Sequence, residues 1–114
     1  MFPGYSGRVD PHRLAEERSL AYHRAIAARL AREPALVARA RAKVAAWRTE
    51  GRSPFYARAW ERLLSGPTKT LAQFLAADTE EARALRQATP FAGALEPRER
   101  WRIWREVRER GAGR

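Results

Sequence analysis

Ser53 to Leu75, SPFYARAWERLLSGPTKTLAQFL, is the stretch that decides the fold. Ser53-Pro54 pairs a helix-capping residue with proline, whose fixed φ and missing N–H suit the first helical position. Phe55, Tyr56, Ala59, Trp60, Leu63 and Leu64 then gather on one half of a 100°-per-residue wheel, opposite Arg58, Glu61 and Arg62. Ser65-Gly66-Pro67 ends this run. Apolar residues resume after Thr68 with Leu71, Phe74 and Leu75. A helical period governs both halves, so the stretch predicts two short helices joined by a tight turn.

The same punctuation repeats outward. Asp10-Pro11 predicts the start of a first helix running to about Arg32, with Leu14, Ala21, Tyr22, Ala25, Ile26 and Leu30 on one broad arc. Arg18, Arg29 and Arg32 project into that arc. Either their stems lie over apolar surface, or this face meets something acidic. Glu33-Pro34 breaks the chain and opens a second helix to about Thr49, with a stripe of Leu36, Val37, Ala40, Val44 and Trp47 and with Gly51 as its stop. Asp78 stands three residues before Glu81, the spacing of a capping box. That predicts a fifth helix over about 79–88, with a kinked continuation of the fourth as the alternative. Thr89-Pro90 stops it, and Pro97 opens a sixth helix that fades at Gly111. No run of β-branched residues alternates with period 2.

The expectation is an all-α fold: a single compact domain of about six helices with a long N-terminal helix. It spans residues 10–110, between a mobile lead-in at 1–9 and a mobile tail at 111–114. The expected core is Trp47, Phe55, Trp60, Leu63, Leu71, Phe74 and Leu85.

At 114 residues, one domain is the natural reading. No cysteine is present, which excludes disulfides, thiolate metal sites and cysteine nucleophiles. No apolar run reaches the roughly 18 residues of a membrane span, and MFPGYSGRVD lacks a signal pattern. A cytoplasmic location with no membrane partner is expected. Enzymatic chemistry is also not expected. His12 and His23 are not at metal-ligand spacing. Ser65-Gly66-Pro67-Thr68-Lys69-Thr70 lacks the full phosphate-loop pattern and a preceding strand. No cofactor and no metal are implied.

The charge is the more informative feature. Lys+Arg number 23 against 13 Asp+Glu, a net +10, and only Lys43 and Lys69 are lysines. Such a chain attracts polyanions and acidic protein surfaces alike, although an alanine- and arginine-rich composition also follows from genomic base composition. The excess favours residues 34–52, with five bases and one acid, and residues 96–114, with seven and four. In the sixth helix Arg98, Arg102 and Arg105 share one side. Trp101, Trp104, Ile103 and Val107 share another, with Arg100 and Arg108 inside the tryptophan arc. Phe91, between Pro90 and Gly93, is either a core plug or an interface anchor. The tryptophans admit three uses: core, a nucleic-acid face with the arginines on phosphates, or a protein hot spot.

Trp60-Glu61-Arg62-Leu63-Leu64-Ser65-Gly66-Pro67, then Leu85-Arg86-Gln87-Ala88-Thr89-Pro90-Phe91-Ala92-Gly93, then Leu95, Pro97, Arg98, Glu99, Arg100 and Trp101 resemble a pattern of small helical proteins encoded beside nucleotidyltransferase-like toxins. The segment Glu16 to Arg24 fits as well, so the resemblance covers most of the chain. It implies an antitoxin similar to the MenA group paired with MenT toxins, and hence a cognate nucleotidyltransferase-like toxin as partner. A basic helical inhibitor suits an acidic, metal-binding cleft. The residues expected to meet it are Arg18, Arg29, Arg32, Arg86, Phe91, Arg98, Trp101, Arg102, Trp104 and Arg105. Many antitoxins carry a recognisable DNA-binding module and a disordered tail. Neither is evident here, so autorepression is not expected. A nucleic-acid-binding protein using the same arginines is the alternative, and a structural homo-oligomer is a third reading.

Overall fold

The Asp10 carboxylate accepts the His12 N–H at 3.0 Å, and Pro11 follows as the first helical residue. From this cap a computed structural model describes residues 10–112 as six helices, with no strand among them. They are α1 Pro11–Ala27, α2 Ala35–Thr49, α3 Pro54–Ser65, α4 Thr68–Ala76, α5 Glu80–Arg86 and α6 Pro97–Ala112. The lead-in at 1–9 and residues 113 and 114 of the tail lie outside the described residues.

The first helix is shorter than expected. It stops at Ala27 after 17 residues, against 16 for α6. The chain then winds tighter, with N–H groups reaching back three residues: Arg29 to Ile26 at 2.9 Å and Arg32 to Arg29 at 3.1 Å. This compact turn buries Leu30 and redirects the chain into α2. No glycine or proline marks the stop, so the apolar periodicity ran through it.

Two caps also differ from expectation. Thr79, not Asp78, caps α5: its hydroxyl accepts the Ala82 N–H at 3.1 Å, while Asp78 pairs with Arg83 at 3.7 Å. Ser53 does precede α3, but in the left-handed region (φ 41°), and its side chain makes no capping bond. Gly51 behaves as predicted. At φ +71° it lets its own N–H reach Arg48 O at 3.1 Å and the Arg52 N–H reach Trp47 O at 2.8 Å, the two bonds of a Schellman stop.

α1 is the hub, with α4, α5 and α6 packed on it. α2 packs on α3, and α3 on α4. Trp60 is the largest fully buried side chain, with Phe74 and Phe91 edge-on to its ring at 6.2 and 6.1 Å. Leu71 and Leu85 are buried as expected, and Trp47, Leu63 and Phe74 are half-buried. Phe55 is the miss, at 74% exposed. α3 turns Ala57, Trp60 and Leu64 inward, and Phe55 falls on the opposite side of that wheel.

Part of the arginine excess is internal. A helix end leaves its last carbonyls without N–H partners, and here arginines supply them. Arg41 of α2 donates Nε and Nη2 to Leu64 O, at the end of α3, at 3.1 and 2.7 Å. At the end of α4, Arg24 reaches Ala76 O at 3.2 Å, and Arg86 reaches Leu75 O and Ala77 O.

Candidate partner-binding site

α6 lies on α1 through Ile103 and Val107, which are buried. The side expected to hold these two together with the tryptophans is split. Trp101 is 58% exposed and Trp104 42%, at the rim of the buried stripe. Their rings sit 6.2 Å apart, tilted by 51°. The Arg18 guanidinium lies 4.7 Å from the Trp104 ring centre, a cation–π contact from α1.

The arginine row is less uniform than its spacing suggests. Arg98 and Arg105 are exposed and form no ion pair among the described residues. Arg102 is exposed too, but pairs with Glu99 at 3.6 Å and Glu106 at 3.9 Å. Arg29 bonds the same Glu99 and lies 4.0 Å from Glu33. The Glu99 hydrogen bond raises the Arg29 pKa above its usual value. Arg32 is exposed in the turn after α1. Of the three helix-one arginines, Arg18 therefore joins the tryptophan face and Arg29 clamps α6 to that turn.

Arg86 and Phe91 lie inside. Arg86 is 3% exposed, with Nη1 on two backbone carbonyls. Burial first, then nearby Arg83 and Arg24, lower its pKa, while Asp78 and Glu16 oppose the shift. Phe91 is 1% exposed and contacts Trp60 edge-on, so its ring fills the core.

The loop that carries Phe91 is held by residues to which the sequence reading gave no such role. The Tyr22 hydroxyl donates to Phe91 O at 2.7 Å and accepts the Ala94 N–H at 3.2 Å. Lys43 donates to Ala92 O. His23 Nδ1 lies 2.7 Å from Ser19 O, which can only accept, so Nδ1 carries the proton. Nε2 is then an acceptor, and Thr89 donates its hydroxyl there at 2.8 Å. The Thr89 oxygen in turn accepts the Phe91 N–H at 3.0 Å. Burial, assisted by Arg86, lowers the His23 pKa to about 4. Sequence spacing set His23 aside as a metal ligand and gave it no other role. It is instead a neutral, buried strut.

Between α1, this loop and α6 lies a groove of about 370 Å³. Arg18, Tyr22, His23, Arg86, Arg100 and Trp104 supply its larger walls. Arg100 entered the sequence reading within the tryptophan arc and not as a site residue. Among the described residues no group of three His, Asp or Glu could hold a metal ion, and no helix is long and apolar enough to cross a membrane. Comparison with protein-family models, with curated proteins and with solved structures finds no match to this chain.

Proposed function

We propose that this chain is a protein-binding module of the antitoxin type, which neutralises a nucleotidyltransferase-like toxin by seating the tryptophan face of α6 on the toxin's acidic cleft. The observation that supports it is the pair of neighbouring exposed indoles, Trp101 and Trp104, flanked by Arg98 and Arg105. Large aromatics left in water are where interface energy concentrates. Unpaired arginines around them steer an acidic partner and set its orientation. The proposal includes a non-enzymatic role, no cofactor and a cytoplasmic location.

The same face could stack nucleic-acid bases. The clamp at Glu99 weighs against that use, because it pairs Arg102, the middle member of the row that would follow phosphates, and Arg29 beside it. The test is to express the chain with and without the product of its neighbouring reading frame and look for co-purification at moderately high salt. A stable complex supports the proposal. Recovery of no protein partner, with tight, steeply salt-dependent binding to RNA or DNA probes, overturns it.

A further inference from the structure

The groove beside Trp104 has an unbalanced charge. None of its eleven lining residues is acidic, and three are arginines: Arg18, Arg86 and Arg100. No carboxylate of the described residues lies within ion-pair distance of any of the three. The cavity on the other side of Arg86 is the reverse, lined by Asp10, Glu16, Glu17 and Asp78 as well as bases. Two buried donors among the groove arginines also lack partners. Arg86 spends Nη1 on Leu75 and Ala77 and leaves Nη2 unbonded, and Arg18 Nε is unbonded as well. Buried donors are normally satisfied, so each such case asks for an explanation.

We infer that this groove binds a small phosphomonoester with a flat apolar body, its phosphate facing Arg18, Arg86 and Arg100 and its body against the Trp104 indole. The groove's volume falls in the usual range for small-molecule sites, about 300–1,000 Å³. Three guanidinium groups exceed what one carboxylate can answer. A phosphomonoester carries a charge of roughly −1.5 to −2 near neutral pH and three acceptor oxygens, which guanidinium forks match in geometry. His23 does not compete for the phosphate, because its Nδ1–H is committed to Ser19 and its Nε2 to Thr89. Ala15, Ser19, Ala92 and Gly93 complete a lining of small residues that leaves room for a ring.

The test uses the isolated chain, so its outcome does not depend on whether α6 meets a toxin. Phenyl phosphate is titrated by calorimetry, with arginine Nε–H and indole N–H signals followed by NMR. Saturable binding with Kd below about 1 mM is expected. Arg18→Gln and Arg100→Gln should each weaken it by about tenfold or more, and Arg58→Gln, exposed on α3, should leave it unchanged. Trp104→Leu should bring its affinity down to that of inorganic phosphate. Arg86 is left intact because it caps α4. Failure to saturate by about 10 mM, or indifference to both Arg18→Gln and Arg100→Gln, overturns the site. Equal affinity for phenylacetate overturns the phosphate assignment, and equal affinity for inorganic phosphate overturns the role of the flat body.

Discussion

Arg86 and Ala77 are joined across the α4–α5 corner by an Nη1–H···O=C bond of 2.7 Å, and the same nitrogen lies 3.3 Å from Leu75 O. The carbonyl end of a helix favours a cation, and α4 is followed by Ala77, which is extended and not a glycine. A buried guanidinium thus does the work that a C-terminal glycine motif does elsewhere. Arg86→Met keeps the stem and removes the donors. It should destabilise the chain by about 2–4 kcal/mol. Arg86→Lys should restore only part of that, because an ammonium lacks the planar fork. Thermal unfolding followed by circular dichroism reads both, and an unchanged Tm in Arg86→Met would remove the cap from the account.

Phe91 is a core residue, and its truncation should show as lost stability. Phe91→Ala should cost about 3–5 kcal/mol, the usual range for a buried phenyl ring. Tyr22→Phe removes one hydroxyl that serves both Phe91 O and Ala94 N–H, and should cost about 1–3 kcal/mol with the fold retained. Denaturant titration measures both. Native stability in Phe91→Ala together with lost partner binding would place the ring in an interface.

His23 makes the protein acid-sensitive in a defined window. Its folded pKa is about 4 against 6.5 for the free side chain. Above pH 6.5 it is neutral in both states and costs nothing. As pH falls from about 6.5 to about 4 the unfolded chain takes up a proton that the folded chain refuses, so stability declines by about 3 kcal/mol and then levels off. Burial drives the shift and Arg86, which repels the added proton, reinforces it, while the Nδ1–H bond to Ser19 O opposes it in part. His23→Gln should flatten the decline in this window, measured as unfolding free energy against pH. An equal slope in wild type and variant would assign the effect to other groups.

Trp101 should separate binding from folding. With more than half its surface in water, Trp101→Ala should change stability by less than about 1 kcal/mol. Capture of the neighbouring gene product should fall by about tenfold or more. Trp60→Ala, fully buried, should instead cost about 3–5 kcal/mol. Partner capture unaffected by both Trp101→Ala and Trp104→Ala would move the interface off α6.

The six helices were legible because their signals are local. Asp10-Pro11, Gly51, Ser65-Gly66-Pro67 and Pro97 act within one turn of where they stand. The stop at Ala27 was not legible, because a tightened turn needs no breaker and Leu30 keeps the helical spacing. The face of α6 was read as a wheel, yet a wheel does not say where the stripe ends. That is why Trp101 and Trp104 were grouped with Ile103 and Val107, and why Phe55 was placed in the core. Glu99, which pairs with Arg29 and Arg102, carries no mark in the sequence of its partner 70 residues away. Arg86 read as a partner-facing residue because polar side chains usually lie on the surface, and nothing local marked His23 as buried. Arg86 finds its partners at the end of α4, and His23 finds Thr89 in the distant loop as well as Ser19 one turn back.

Three bonds that fix the loop and α6 reach back to α1 and the turn after it: Tyr22 to Phe91 across 69 residues, His23 to Thr89 across 66, Arg29 to Glu99 across 70. Helices and the α2–α3 pair close over short loops, but these ties close over most of the chain, and closure entropy must be met before they form. During synthesis α1 leaves the ribosome well before α6 and the loop that precedes it. Until α6 is available, α1 can pack on α4 and α5 alone. Docking of α6 on α1 thus closes the longest of the loops between packed helices.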